Sequence, residues 1–261
     1  MNTKNISKAN SLKYINSLNL TLFKVPNMLS FSNVLIKDNF KFVLDEIKKT
    51  FNDKILAIRS SAVDEDSEKS SLAGGYSSVL NVPANNEKKI IEAVNVVIES
   101  YKKKRPLLLD DEIIVQEMVL NTSMSGVVFT YDLNTGAPYY VINYDDKSGT
   151  TDSVTSGRGE FANRTLYVHR HSVDKLRSDR FKKLLKAIQE LEHVSGNQLL
   201  DIEFSLDTEL NIHLLQVRKI STQINWNRGI SKKVDTTLQD VQSLISKGFK
   251  ELMEFTARQL L

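Results

Sequence analysis

Two strand-like segments late in the sequence concentrate oxygen and guanidinium groups: Leu199-Leu200-Asp201-Ile202-Glu203-Phe204 and Ile212-His213-Leu214-Leu215-Gln216-Val217-Arg218. Alternate residues of a strand share a face, so Asp201 and Glu203 point one way while Ile202 and Phe204 enter a core. On the second segment Gln216 and Arg218 share a face, and Leu215 and Val217 take the other. A hairpin through Leu206 to Asn211 lays the two polar faces side by side. Two carboxylates and an amide oxygen are hard ligands for Mg2+, which keeps waters and binds phosphate oxygens as well. The arginine adds a planar fork matched to phosphate. By itself the pattern favours a solvent-facing hairpin whose charges pair across strands; two other segments change the balance.

The first is Ala57-Ile58-Arg59-Ser60-Ser61-Ala62, an apolar strand that ends in Arg59 and two hydroxyls, followed by Asp64-Glu65-Asp66 and the glycine pair Gly74-Gly75. An arginine at a strand end reaches into a cleft, and Gly and Ser amides cradle phosphates. In isolation this tetrapeptide is a weak signal, better explained by a mobile surface loop. The second is Val115-Gln116-Glu117-Met118-Val119, running into Ser125-Gly126-Val127-Val128-Phe129-Thr130. Such a connection between lobes offers backbone groups to an adenine edge and apolar side chains to its faces.

These groups need a scaffold, and the periodicities supply one. Phe40, Val43, Leu44, Ile47 and Phe51 recur at helical spacing, as do Ile90, Val94, Val97, Ile98 and Tyr101. A third helix through Phe181 to Leu191 stops at Gly196. Strands are predicted at Ile55–Ile58, Ile113–Val119, Gly126–Tyr131, Tyr139–Tyr144, Thr165–Arg170, Leu199–Ser205 and Ile212–Val217. The result is an α+β architecture of two lobes, with residues 1–112 in the first, 113–222 in the second and 223–261 as a helical tail. Ser60–Ser78 and Asp145–Gly159 lack both periods, as functional loops do. Val234, Leu238, Val241, Leu244, Ile245, Phe249 and Leu252 make the tail amphipathic.

The 261 residues suffice for one large domain or two joined lobes. A net charge of +3 and Lys runs beside apolar helical patterns argue against a nucleic-acid partner. No run is apolar enough to span a membrane, Met1 to Leu20 has no signal-peptide core, and the absence of Cys excludes thiol chemistry. A cytoplasmic location is expected.

Together the motifs resemble a family: the N-terminal ATP-binding domain of phosphoenolpyruvate synthase, pyruvate phosphate dikinase and rifampicin phosphotransferase. Ile58-Arg59-Ser60-Ser61-Ala62, Leu72-Ala73-Gly74, Val115-Gln116-Glu117-Met118-Val119, Asp201-Ile202-Glu203 and Leu215-Gln216-Val217-Arg218 carry it in shared order. The resemblance implies an ATP-grasp fold with ATP and Mg2+ as cofactors. It further implies that Lys8 and Arg59 contact phosphates, with Gly74 and Gly75 beside them. Gln116 and the backbone near Met118 meet adenine and ribose. Asp201, Glu203 and Gln216 hold the metal, and Arg218 stabilises the terminal phosphate. The implied reaction cleaves ATP to AMP and phosphate and passes the β-phosphoryl through a histidine on a separate domain to a small acceptor. That acceptor is the L-glutamine amide if the chain is akin to the kinase of capsule phosphoramidate synthesis, or pyruvate or a drug in other relatives; a noncatalytic nucleotide-binding module is the remaining alternative. None of His169, His171, His193 or His213 resembles the family's phosphohistidine motif, so the histidine and acceptor domains are expected elsewhere. Two departures stand out: Ile6 and Ser7 replace paired glycines before Lys8, and Asp152 replaces a Glu in the 149–157 segment.

Overall fold

The computed structural model describes residues 7–62, 76–149, 164–220, 226 and 229–259. In chain order the elements are α1 (Lys8–Ser17), β1 (Phe23–Lys24), β2 (Met28–Ser32), α2 (Asn33–Asp38), α3 (Phe40–Phe51), β3 (Ile55–Ser61), β4 (Ser78–Pro83), α4 (Glu87–Lys102) and β5 (Glu112–Glu117). They continue with β6 (Thr122–Phe129), β7 (Tyr139–Asp145), β8 (Arg164–His169), a 3-10 turn (Arg170–Lys175), α5 (Asp179–Ser195), β9 (Leu200–Asp207), β10 (Ile212–Lys219) and α6 (Ile230–Gln259).

Among the described residues the strands form two sheets, ordered β2-β5-β3-β4 and β1-β10-β9-β6-β7-β8. Every pair is antiparallel except β1 with β10. The small sheet has a helical layer on one face. Val43, Ile47 and Phe51 of α3 and Ile90, Val94 and Val97 of α4 join Leu56, Ile58, Ile113 and Val115 of β3 and β5 in one core. The large sheet packs one face on α5, where Leu184, Leu185, Ile188 and Leu191 meet Val128, Tyr140, Ile142, Ile202 and Phe204. That burial leaves the opposite face of β9, with Asp201 and Glu203, clear of the core. β5 stays with the small sheet, so the chain passes from one sheet to the other after Glu117, later than the boundary at 112 that the hydrophobic pattern suggested.

Capping sets the helix ends. Asn39, Asn86 and Ser7 each accept a backbone N–H of the first turn of α3, α4 and α1, a contact worth ~1 kcal/mol. α5 ends at Gly196, whose φ of 64° is left-handed, so the sequence-based stop is observed. The expected strand Ile55–Ile58 runs on to Ser61, because Arg59, Ser60 and Ser61 keep their ladder with Ile114, Ile113 and Glu112. No helix among the described residues is long and apolar enough to cross a membrane.

Behind the strand ends that carry Asp201, a buried polar network fixes the backbone. Thr130 Oγ1 donates to the Gln198 carbonyl at 2.6 Å and accepts from Leu200 N at 2.8 Å. Arg170 forks onto Glu192 at 2.8 and 2.9 Å, donates to the Thr130 carbonyl, and lies over the Tyr131 and Tyr140 rings. Tyr140 donates to Glu192 at 2.8 Å, and burial together with that carboxylate's charge pushes its hydroxyl above the usual phenol range. Sequence alternation gave no sign of this network.

Candidate functional site

Register places the four polar residues of the hairpin as expected. Gln216 stands opposite Glu203, and Arg218 opposite Asp201. One detail is corrected. A β-bulge interrupts the ladder between Leu214 and Gln216, and Leu214 and Val217, three residues apart, both enter the large core. Leu215 was expected to share the face of Val217, yet it lies outside that core cluster. Strict alternation from Leu214 would have turned Gln216 and Arg218 into the core; the extra residue resets the phase.

Arg59 comes to the hairpin from the other sheet. Its Nη1 lies 3.6 Å from Glu203 Oε2, and Arg218 Nη2 lies 3.7 Å from Glu203 Oε1. Glu203 thus sits between two guanidiniums at distances beyond good hydrogen bonding, attracted but not saturated. All three side chains are largely shielded. Arg59 Nε is buried with no hydrogen-bond partner among the described residues. With its amide turned to present Oε1, Gln216 accepts from the Arg218 guanidinium.

α1 touches both strands that carry the arginines. The helix starts at Lys8, which is buried. Ala9 N donates to Ser61 Oγ at 3.0 Å, two residues beyond Arg59 on β3. Ser11 Oγ donates to the Val217 carbonyl at 2.7 Å, between Gln216 and Arg218 on β10. Ser61 is itself held by Tyr101, whose hydroxyl accepts from Ser61 N and donates to the Glu112 carbonyl, both at 2.7 Å. The first turn of α1 therefore bridges the two sheets, and Lys8 opens that turn. Ser11 and Tyr101 went unrecognised as supports; the only signal was that Ser11 falls in the same short motif as Lys8. Ser7 occupies a position where the resemblance has glycine, and its hydroxyl accepts from Asn10 N at 3.3 Å, so the helix start is closed by a side-chain cap.

Gln116 lies on β5 opposite Met28 and Ala57. It is 1% exposed, and its Nε2 has no hydrogen-bond partner among the described residues. Strand alternation gives it the face of Ile114, which packs with Ala9 and Leu12 of α1. An orphaned buried amide donor costs roughly 1–3 kcal/mol unless something satisfies it, which marks this as a place made for an acceptor. At the bend, the Met118 N–H already donates to the Ile55 carbonyl at 2.8 Å, and the Met118 sulfur accepts from Asn81 N at 3.1 Å. What the bend can offer a base is the Met118 carbonyl and the residues after it. Gly74 and Gly75 and the divergent Asp152 lie outside the described residues.

Electrostatically the cluster has two cations, Arg59 and Arg218, against two carboxylates, Asp201 and Glu203, which leaves no net charge. Charges about 4 Å apart near a protein surface interact by ~4 kcal/mol, so the order of charges along the cleft matters more than this net. Cations from both sheets surround an acidic centre. No group of three or more His, Asp or Glu suited to a metal occurs among the described residues.

Residues 30–158, a little under half of the chain, match the family described as pyruvate phosphate dikinase, AMP/ATP-binding domain. The resemblance drawn from the motifs holds. Among solved structures, PH1788 from Pyrococcus horikoshii Ot3 superposes with a TM-score of 0.52 at 12% identity, over 82% of this chain and 90% of that one. The dinucleotide-forming acetyl-coenzyme A synthetase 1 of Ca. Korarchaeum cryptofilum, solved with coenzyme A, Ca-AMPCP and HgCl+, gives 0.51 at 11% identity, over 82% and 92%. The D-alanine–D-alanine ligase from Helicobacter pylori matches 84% of this chain with a TM-score of 0.46 at 11% identity. This chain covers about half of that ligase, 55% of its length. No curated protein matches the chain. The fold is ATP-grasp, and the segment with Arg59 and Gln116 is of the ATP-binding kind.

Proposed function

We propose that the chain is the Mg-ATP-binding domain of a histidine-relay phosphotransferase. The observation that carries this reading is Glu203, bracketed by Arg59 from one sheet and Arg218 from the other. A polyphosphate entering between the sheets gives the buried Arg59 Nε, which has no partner among the described residues, an oxygen to bind, and meets Arg218 on the facing strand. Glu203, with Gln216 and Asp201 beside it, is then free to hold Mg2+, which supplies charge neutralisation at the phosphate oxygens. Lys8 and Arg59 position the phosphate chain, and Arg218 stabilises charge on the transferring group. Gln116 gives its unsatisfied N–H to the nucleoside end. In this scheme the domain contributes orientation and electrostatics. The β-phosphoryl passes from ATP to a histidine on another domain with AMP as the leaving group, water takes the γ-phosphoryl as free phosphate, and the final acceptor is a small molecule, the L-glutamine amide being the first to assay.

The direct test is calorimetric titration with ATP and with a nonhydrolysable analogue, with and without Mg2+. Binding that strengthens with Mg2+ and fails in Arg59→Ala supports the reading. A wild-type chain that binds no nucleotide in the presence of Mg2+ overturns it.

A further inference from the structure

A second surface lies on α6. The chain enters this helix under two anchors. The Trp226 indole donates to the Leu133 carbonyl at 2.8 Å, and Asp235 faces His169 Nε2 at 3.1 Å. Beyond them, every residue from Thr236 to Met253 is exposed. Leu238, Val241, Leu244, Ile245, Phe249, Leu252 and Met253 are 42% to 71% exposed. A helix standing alone in water is marginal even with good helix formers, and an apolar stripe this long marks an interaction surface.

The stripe has a specific rhythm. Leu238, Val241, Ile245 and Leu252 fall at steps of three and four, and Gly248 fills the remaining seam position. That is the seven-residue repeat along which two helices pack knobs into holes. Among the described residues, nothing beyond the helix's own backbone lies within 4 Å of a Cβ built on Gly248, so no packing seen there requires a glycine. A residue without a side chain in the seam leaves room for a bulky one from outside, such as Phe249 of another helix.

We propose that α6 pairs antiparallel with α6 of a second copy of this chain. A two-fold axis sets the same stripe against itself, so every apolar position has an apolar counterpart without any other partner. Seven large side chains, each giving up on the order of 100 Å2, about half of what an aromatic buries, cover roughly 1,400 Å2 over both copies. That lies within the ~1,200–2,000 Å2 of stable interfaces. The antiparallel sense follows from where the body sits. It is attached at one end of a rod about 45 Å long, and opposed helices carry the two bodies to opposite ends.

Sedimentation equilibrium of the purified chain tests this. The expected result is a dimer, and the double variant Ile245→Glu/Phe249→Glu halves the mass while the melting temperature of the body stays within a few degrees of wild type. Small-angle scattering of the wild type should show two separated masses. A wild-type chain that is monomeric at every concentration overturns the proposal, and the stripe then serves a different partner. A dimer that survives the double variant, or a dimer with one compact mass, also overturns it.

Discussion

At the scale of single residues, Glu203 decides between a metal site and a structural hairpin. Glu203→Gln keeps size and hydrogen-bonding capacity but removes the charge between Arg59 and Arg218. The expected outcome is a fold that melts within about 2 °C of wild type and an ATP affinity that no longer rises with Mg2+, a loss of about tenfold or more. Affinity for metal-free ATP should hold or increase, since two guanidiniums are left facing the phosphates. A sharply lower melting temperature with intact Mg2+ dependence would make the carboxylate structural. Much at this scale was legible in the sequence. Asp201, Glu203, Gln216 and Arg218 follow from alternation, because two strands with one buried face can put polar residues on only one side. Arg59 was visible as a strand-end cation. Its contact with Glu203 was not, since 144 positions separate the two in sequence and only the packing of one sheet over the other brings them together.

At the scale of elements, the β9–β10 hairpin depends on the turn that joins it. Asp207 accepts from Glu209 N, Asn211 N, Asn211 Nδ2 and His213 Nε2 at 2.8 to 3.1 Å. Burial acts to raise its pKa, but the bonds from Asn211, His213 and the turn amides prevail and hold the carboxyl at about 2, below the ordinary 3.8. A depressed carboxyl stabilises the fold fully above its unfolded value, and the contribution is lost as pH falls through the folded one. Asp207→Ala should therefore lower the melting temperature by a few degrees at pH 7, with the difference from wild type closing between pH 4 and pH 2. A difference that is flat across that window would detach the turn from the hairpin's stability. The helices were read well because their stripes are long, and α5 stopped where Gly196 predicted. Short strands such as β1 and β4 escaped, since two to six residues give periodicity nothing to repeat. The bulge at Leu215 escaped because an inserted residue changes phase without changing composition.

At the scale of the molecule, the proposal gives these 261 residues the binding and orientation of a nucleotide and assigns the histidine relay to another domain. Purified alone, the chain should hydrolyse ATP slowly at most and phosphorylate neither glutamine nor pyruvate. With the histidine-bearing domain supplied, AMP should form, and Arg218→Ala should abolish that while nucleotide binding through Gln116 persists. Labelled ATP with resolution of ADP from AMP reads the result; strong acceptor phosphorylation by the chain alone, with ADP as product, would make it a direct kinase. The two-lobed plan was legible because the polar segments fall between runs of different period. The role of α1 was not, since a ten-residue helix of low amphipathicity gives no hint that it touches both lobes. Its hydrogen bonds to Ser61 and Val217 make it a tie-beam between two walls. The gap in which a triphosphate must fit is then spaced by a strut that starts at the eighth residue, and a hydroxyl lost at Ser11 would be felt as play in the joint, with every ligand-facing group still in place.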